Sequence, residues 1–218
     1  MVGKIGESQT LQFFSTIIQT ELSARFGRRG KYSIGNFSGS QDRRFADVFV
    51  GTESSCVLIE FKEFESEVAD EQNKPLRKKF CEELTPEIAS LSRSGHFIAF
   101  RKPKSQMEII VAPYVDTVCP RFSVGIPPLV NAKRQDHDRF IKSFLGNTEG
   151  QNYQSFIQYV GHLNSIAGGT PDGSTAPFKS VLYSRNRQGR VIGTVFESIG
   201  ELRKLLKLRP KRMHSSKL

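Results

Sequence analysis

Apolar residues at Leu11, Phe14, Ile17, Ile18, Leu22 and Phe26 recur at the spacing of one helical face. Gln9 to Phe26 is therefore read as an amphipathic helix, capped by Ser8 and ended by Gly27 and Gly30. Three short segments of strand character follow: Lys31 to Phe37, Phe45 to Val50 and Cys56 to Lys62, separated by Ser38 to Asp42 and by Gly51 to Ser54, both rich in turn formers. The third, Cys-Val-Leu-Ile-Glu-Phe-Lys, is nearly all apolar until it meets charge, the pattern of a central strand covered on both faces. Asn73 and Pro75 announce a second helix with Leu76, Phe80 and Leu84 on one face, and Thr85-Pro86 begins a third that stops before Gly95. His96 to Phe100 and Met107 to Val115 read as two further strands. Turns between the early strands are too short for parallel crossovers, so the expectation is an α/β core with a mixed sheet.

Beyond Pro120 the pattern loosens. Arg139 to Leu145, Tyr153 to Ile166 and Ile199 to Leu208 look helical, Ala167 to Pro177 reads as a loop, and Phe178 to Tyr183 with Arg190 to Val195 form a hairpin with a basic tip. The implied organisation is an α/β core over 1–118, an α+β extension packed on it over 119–208 and a basic tail over 209–218.

Charge adds a partner. The 218 residues carry 32 Lys and Arg against 22 Asp and Glu, a formal net charge of +10, and such a surplus favours a polyanion over a membrane surface. Basic groups cluster at Arg28 and Arg29, at Arg43 and Arg44, at Lys78, at Arg185 and Arg187, and at Lys211 and Arg212, where they would grip phosphates. No apolar run is long enough for a transmembrane span, and the first ten residues lack a secretory apolar core, so no membrane partner and a cytoplasmic address are expected. Cys56, Cys81 and Cys119, odd in number and far apart, suggest neither a disulfide framework nor a thiolate metal cage. Asp136-His137-Asp138 reads as a helix start rather than a metal cluster, because consecutive helical residues diverge.

The chemistry concentrates between Arg44 and Lys62. Side chains alternate along a strand, so Glu60 and Lys62 share one face while Phe61 points into the core, and a neighbouring strand would bring Asp47 beside them. Asp47, Glu60 and the Phe61 carbonyl would offer hard oxygen ligands to Mg²⁺ or Mn²⁺, and Lys62 would orient or activate a bound water. The plain rival is a solvated strand end carrying a surface ion pair.

An Asp on one core strand followed by Glu-x-Lys on the next resembles the PD-(D/E)XK nuclease superfamily, with Asp47, Glu60 and Lys62 at the matching positions and Ala46 where the namesake proline often stands. The resemblance covers roughly Glu7 to Val115. It implies a restriction-endonuclease-like core in the order α-β-β-β-α-β, and Mg²⁺-dependent hydrolysis of phosphodiester bonds, DNA before RNA. Family members often place a further Glu on the first helix, for which Glu21 is the better match and Glu7 the weaker, and some use a polar residue after the motif, here Gln72, Arg77 or Lys78. An accessory nuclease of a defence (antiviral) or mobile-element system is the expected setting, as a homodimer or within a larger complex. The alternative is a catalytically silent nucleic-acid-binding or scaffolding subunit with the same fold.

Overall fold

The computed structural model describes residues 6–27, 31–37, 40–122 and 133–207. In chain order these form α1 (Glu7–Phe26), β1 (Tyr32–Asn36), α2 (Ser40–Arg44), β2 (Val48–Gly51), β3 (Cys56–Phe64), a 3-10 segment (Glu65–Asn73), α3 (Pro75–Glu82), α4 (Pro86–Gly95), β4 (His96–Arg101), β5 (Ile109–Pro113), α5 (Tyr114–Val118), a 3-10 turn (Cys119–Phe122), β6 (Gln135–Asp136), α6 (His137–Leu145), α7 (Tyr153–Ile166), β7 (Pro177–Arg185), β8 (Val191–Ser198) and α8 (Ile199–Lys207). Among the described residues no helix is long and apolar enough to cross a membrane.

The strands build one open sheet in the order β6-β5-β4-β3-β2-β1-β7-β8. A short turn makes β2–β3 antiparallel, with Val48 opposite Ile59, and the link through α2 sets β2 antiparallel beside β1, with Asn36 opposite Val48. The link through α3 and α4 is long enough to return the chain parallel, and β4 lies beside β3 with Glu60 opposite Ile98. β3 is central, and every residue from Cys56 to Glu63 is buried. The segment beyond Val118 continues the same sheet: β6 pairs with β5, and β7 pairs with β1, Ser33 opposite Leu182.

Alternation along the strands feeds two cores. Val48, Val50, Val57, Ile59 and Phe61 face the layer formed by α1 and α6, meeting Phe14, Ile18, Leu22, Phe140 and Phe144. The opposite side chains, Phe49, Cys56 and Leu58, face α3, α4, α5, α7 and α8. Phe178 of β7 packs edge-on against Phe37 and Phe49 at centroid distances of 4.9 and 5.0 Å, which ties the late hairpin to the early strands.

Several expectations shift. α1 begins at Glu7 behind Gly6, two residues before the expected start at Gln9. β2 starts at Val48, because Phe45 follows a short helix, its N–H bonding the Gln41 carbonyl, and Asp47 sits at a bend. The absence of a disulfide is corrected: Cys81 of α3 and Cys119 after α5, both fully buried, are bonded at a Cα separation of 5.3 Å. Sequence spacing could not show that pair, because it arises where α3 and the 3-10 turn after α5 pack together on one sheet face.

A cross-link across 38 residues restricts the unfolded chain by about 4 kcal/mol. Reductant should lower the melting temperature by roughly 10 °C. Replacing Cys81 and Cys119 with alanine should reproduce that loss and leave the melt insensitive to reductant, as read by circular dichroism.

Candidate functional site

The C-terminal half of β3 carries charge into the interior. Glu60 has no solvent exposure and Lys62 is 5 % exposed, so neither stands at a solvated strand end. Lys62 Nζ lies 3.1 Å from Glu60 Oε1, 2.9 Å from the Phe61 carbonyl it donates to, and 3.1 Å from Glu71 Oε1. The 3-10 segment after β3 brings back Glu71, also fully buried, and α3 supplies Arg77, whose Nη2 donates to Glu60 Oε2 at 3.2 Å and whose Nε stands 3.4 Å from Glu71 Oε2. Lys74, at the start of α3, spans both carboxylates, 2.5 Å from Glu60 Oε1 and 2.8 Å from Glu71 Oε1. The Tyr114 hydroxyl donates to Glu71 Oε2 at 2.8 Å.

Asp47 reaches the same place from the other side. Its Oδ2 accepts the Phe61 N–H at 2.5 Å, its own carbonyl accepts the Phe37 N–H at 2.7 Å, and Arg77 Nη1 donates to the neighbouring Phe45 carbonyl at 3.3 Å. The structure thus brings Asp47, Glu60, the Phe61 carbonyl and Lys62 together.

Glu21 is not among them. It is exposed near the far end of α1, whereas Glu7, at the first turn, stands 3.7 Å from Lys62 Nζ. The two are 14 positions apart, about 21 Å along a helix axis, and only the N-terminal end of α1 reaches Lys62. Of the polar residues after the motif, Arg77 enters the cluster. Gln72 instead donates to the Arg121 carbonyl, and Lys78 is exposed beside Glu82. Glu71, Lys74 and Tyr114 were missed. The signal was the Glu71, Lys74, Arg77 spacing of three, which aligns opposite charges on one side of a 3-10 turn running into a helix.

The basic residues are scattered. Arg43 is exposed on α2, while Arg44 donates to Asn164 Oδ1 at 3.3 Å. Arg185 and Arg187 are exposed around the β7–β8 turn, and Arg185 bonds the Gly189 carbonyl. Arg28, Arg29, Lys211 and Arg212 lie outside the described residues. Asp136 caps α6 by accepting the Arg139 N–H at 2.8 Å, and His137 Nδ1 accepts the Ile109 N–H, so the Asp-His-Asp triplet is a helix start.

Electrostatics follow from burial and crowding. Burial alone would raise the Glu60 carboxyl, but Arg77, Lys62 and Lys74 outweigh it and hold it down at about 2. Burial would likewise strip the Lys62 proton, yet Glu60, Glu71, Glu7 and Asp47 keep it an ammonium far above neutral pH. Glu7 is raised, chiefly by burial. Burial also holds His96 neutral and Tyr114 a phenol. Lys62 in this arrangement donates protons in hydrogen bonds and neutralises charge; it is not a general base.

Comparison with known proteins finds no family model, no curated protein and no solved structure that matches the chain. What stands is an α/β protein with an eight-stranded mixed open sheet and a buried acid–base cluster at the end of its central strand.

Removing the Glu60 charge leaves Lys62, Lys74 and Arg77 crowded around the single buried carboxylate of Glu71, so Glu60→Gln should destabilise the fold by on the order of 3–5 kcal/mol at neutral pH. Because the folded carboxyl titrates near 2 rather than near 4.5, its contribution is complete above pH 4.5 and drains away as pH falls toward 2. Thermal melts of wild type across that window should fall steeply, and those of Glu60→Gln should lose that part of the slope.

Proposed function

We propose that the chain is a metal-dependent nuclease acting on DNA, with RNA as the second substrate class, built on a restriction-endonuclease-like core. The observation that carries the reading is the convergence of Asp47, Glu60, the Phe61 carbonyl and Lys62 at the end of the central strand, with the interposed Phe61 N–H tying Asp47 to β3. The order of α1, the three antiparallel strands, the helical crossover and parallel β4 is the arrangement such a core requires, and the +10 charge suits a polyanionic substrate.

The donor set suits a small hard cation, since Asp47, Glu60 and the Phe61 carbonyl are all oxygen donors. The place between Glu60 and Glu71 already holds positive charge, the Lys74 ammonium, whose side chain is 39 % exposed and enters from outside the core. Mg²⁺ or Mn²⁺ would supply Lewis acidity toward a phosphate oxygen and lower the pKa of a bound water. Asp47, Glu60 and the Phe61 carbonyl would hold it. Lys62, fixed by Glu60 and the Phe61 carbonyl, would orient the attacking water and offset charge on the phosphate. Arg77 fixes one carboxylate oxygen of Glu60, and Tyr114 fixes Glu71. Lys74, the most exposed of the three cations, would leave the carboxylates and turn toward the phosphate backbone.

Plasmid, linear duplex and single-stranded DNA, tested beside RNA, should be cut in Mg²⁺ or Mn²⁺ and spared in EDTA. Asp47→Asn keeps an acceptor for the Phe61 N–H while removing the charge, and Lys62→Gln keeps a donor; each should lower cleavage by at least about 10²-fold. Absence of cleavage in either metal, or undiminished cleavage by both variants with normal circular dichroism, would overturn the reading. Lys74→Ala removes the competing ammonium, so Mn²⁺ should stabilise this variant against heat at roughly tenfold lower concentration than wild type.

The second reading, a catalytically silent nucleic-acid-binding subunit, rests on the same cluster: Arg77 and Lys74 already neutralise Glu60. Salt-sensitive nucleic-acid binding without cleavage, and without any response of the melt to Mn²⁺ in wild type or Lys74→Ala, is its signature.

A further inference from the structure

The two edges of the sheet are unlike. β6 is two residues long and runs straight into α6, which leaves little backbone to template another strand. β8 at the other edge spans eight residues, Val191–Ser198, and among the described residues it pairs only with β7. Native proteins commonly blunt such an edge with proline, a bulge or inward charge. β8 has no proline, the one register shift in its ladder with β7 lies between Pro177 and Ser180 at its C-terminal end, and its Val191, Ile192 and Val195, 55 %, 43 % and 67 % exposed, are the large apolar side chains most open to solvent among the described residues.

We infer that the β8 edge is the contact surface for a second copy of this chain, paired antiparallel about a two-fold axis at Gly193. Backbone direction supports this register. The Glu197 N–H turns away from β7 to Glu201 Oε2 at 2.7 Å. By the two-residue alternation of a strand, the polar groups of Val195, Gly193 and Val191 also point out of the sheet. Centred on Gly193, antiparallel pairing sets Val191 opposite Val195 of the second copy, and Val195 opposite Val191, as hydrogen-bonded neighbours on one face. Glycine at the axis removes the one side chain that would meet its own image.

The ends of the strand are charged in complementary fashion. Glu197, whose carboxylate also accepts from Lys179 of β7 at 3.1 Å, and Glu201 lie at one end, and Arg185, Arg187 and Arg190 at the turn beyond the other. Two-fold antiparallel pairing lays each acidic end beside the other copy's basic turn, whereas parallel stacking would put like charges together. Glu201 caps the Glu197 N–H where this pairing would end, so the Val191 to Val195 stretch is the part left to a partner. The inference does not depend on what the buried cluster does, and it joins two sheets into one continuous sheet with the two clusters related by symmetry.

Light scattering coupled to size exclusion, and sedimentation equilibrium on the full chain, should show a dimer at micromolar concentration. Val195→Glu changes a mostly exposed side chain, so the fold should persist by circular dichroism while dimer affinity drops by more than about tenfold. Glu197→Arg should also weaken the dimer, most at low salt, and Glu197→Arg with Arg190→Glu should restore it. A wild-type chain that stays monomeric across the concentration range, or a dimer of unchanged affinity in Val195→Glu, would overturn the inference.

Discussion

A carboxylate with no solvent access at the end of the central strand is the constraint around which one side of the molecule is arranged. Glu60 could not be buried alone, because an uncompensated charge in the interior costs several kcal/mol. Its neutralisation draws in Lys62 from the same strand face and Lys74 and Arg77 from the next helix. Arg77 and Lys74 in turn need a second carboxylate, which fixes the 3-10 segment so that Glu71 returns to the cluster. Tyr114 completes Glu71 and anchors α5, and the Cys81–Cys119 bond holds α3 against the turn that follows α5. The position of α3 is thus set twice, by charge at its start and by sulfur at its end.

The opposite face of the same strand obeys different physics. Phe61 points into the layer of α1 and α6, where Phe14 meets it edge-on at 5.3 Å, and nothing charged is buried there between Val57 and Phe61. One strand therefore carries an apolar seam on one face and a charge network on the other, as the period of two permits. Asp47 is the device that keeps the two in register. Its carboxylate accepts the amide of the very residue, Phe61, that separates Glu60 from Lys62, so a one-residue slip of β3 against the Asp47 bend would lose that bond and turn both charges into the apolar layer.

Much of this was legible. The apolar run ending in Glu-Phe-Lys places a buried strand with two charges on one face, and the short turn at Gly51 to Ser54 requires an antiparallel neighbour, whereas the stretch expected to turn before Phe45 holds the helix α2 instead. The remainder depended on distances the chain hides. Glu7 and Glu21 share a helix and differ by only a small rotation about its axis, so periodicity could not choose between them; the end of α1 that meets β3 decides it. Cys81 and Cys119 are distant in sequence and adjacent only because α3 and α5 cover the same part of the sheet. The late hairpin reads as an extension because its pattern resumes after a glycine-rich loop, yet β7 pairs with β1 and belongs to the same sheet. Long-range strand pairing leaves no local trace in composition.

The charge distribution has two scales, and they do opposite things. At the scale of the whole chain the +10 surplus acts at a distance and falls with salt. Inside the cluster, Glu7, Glu60 and Glu71 face Lys62, Lys74 and Arg77 within 4 Å, where screening by ions is weak. Lys62 sits nearly sealed against Glu7, Glu60 and Glu71, which hold its pKa above that of a free lysine, so at neutral pH it acts as a fixed positive point rather than as a base. Lys74 differs because more than a third of its side chain meets solvent. Of the three cations it alone can exchange partners without exposing the core, which makes the start of α3 the place where the outer charge field and the buried network communicate.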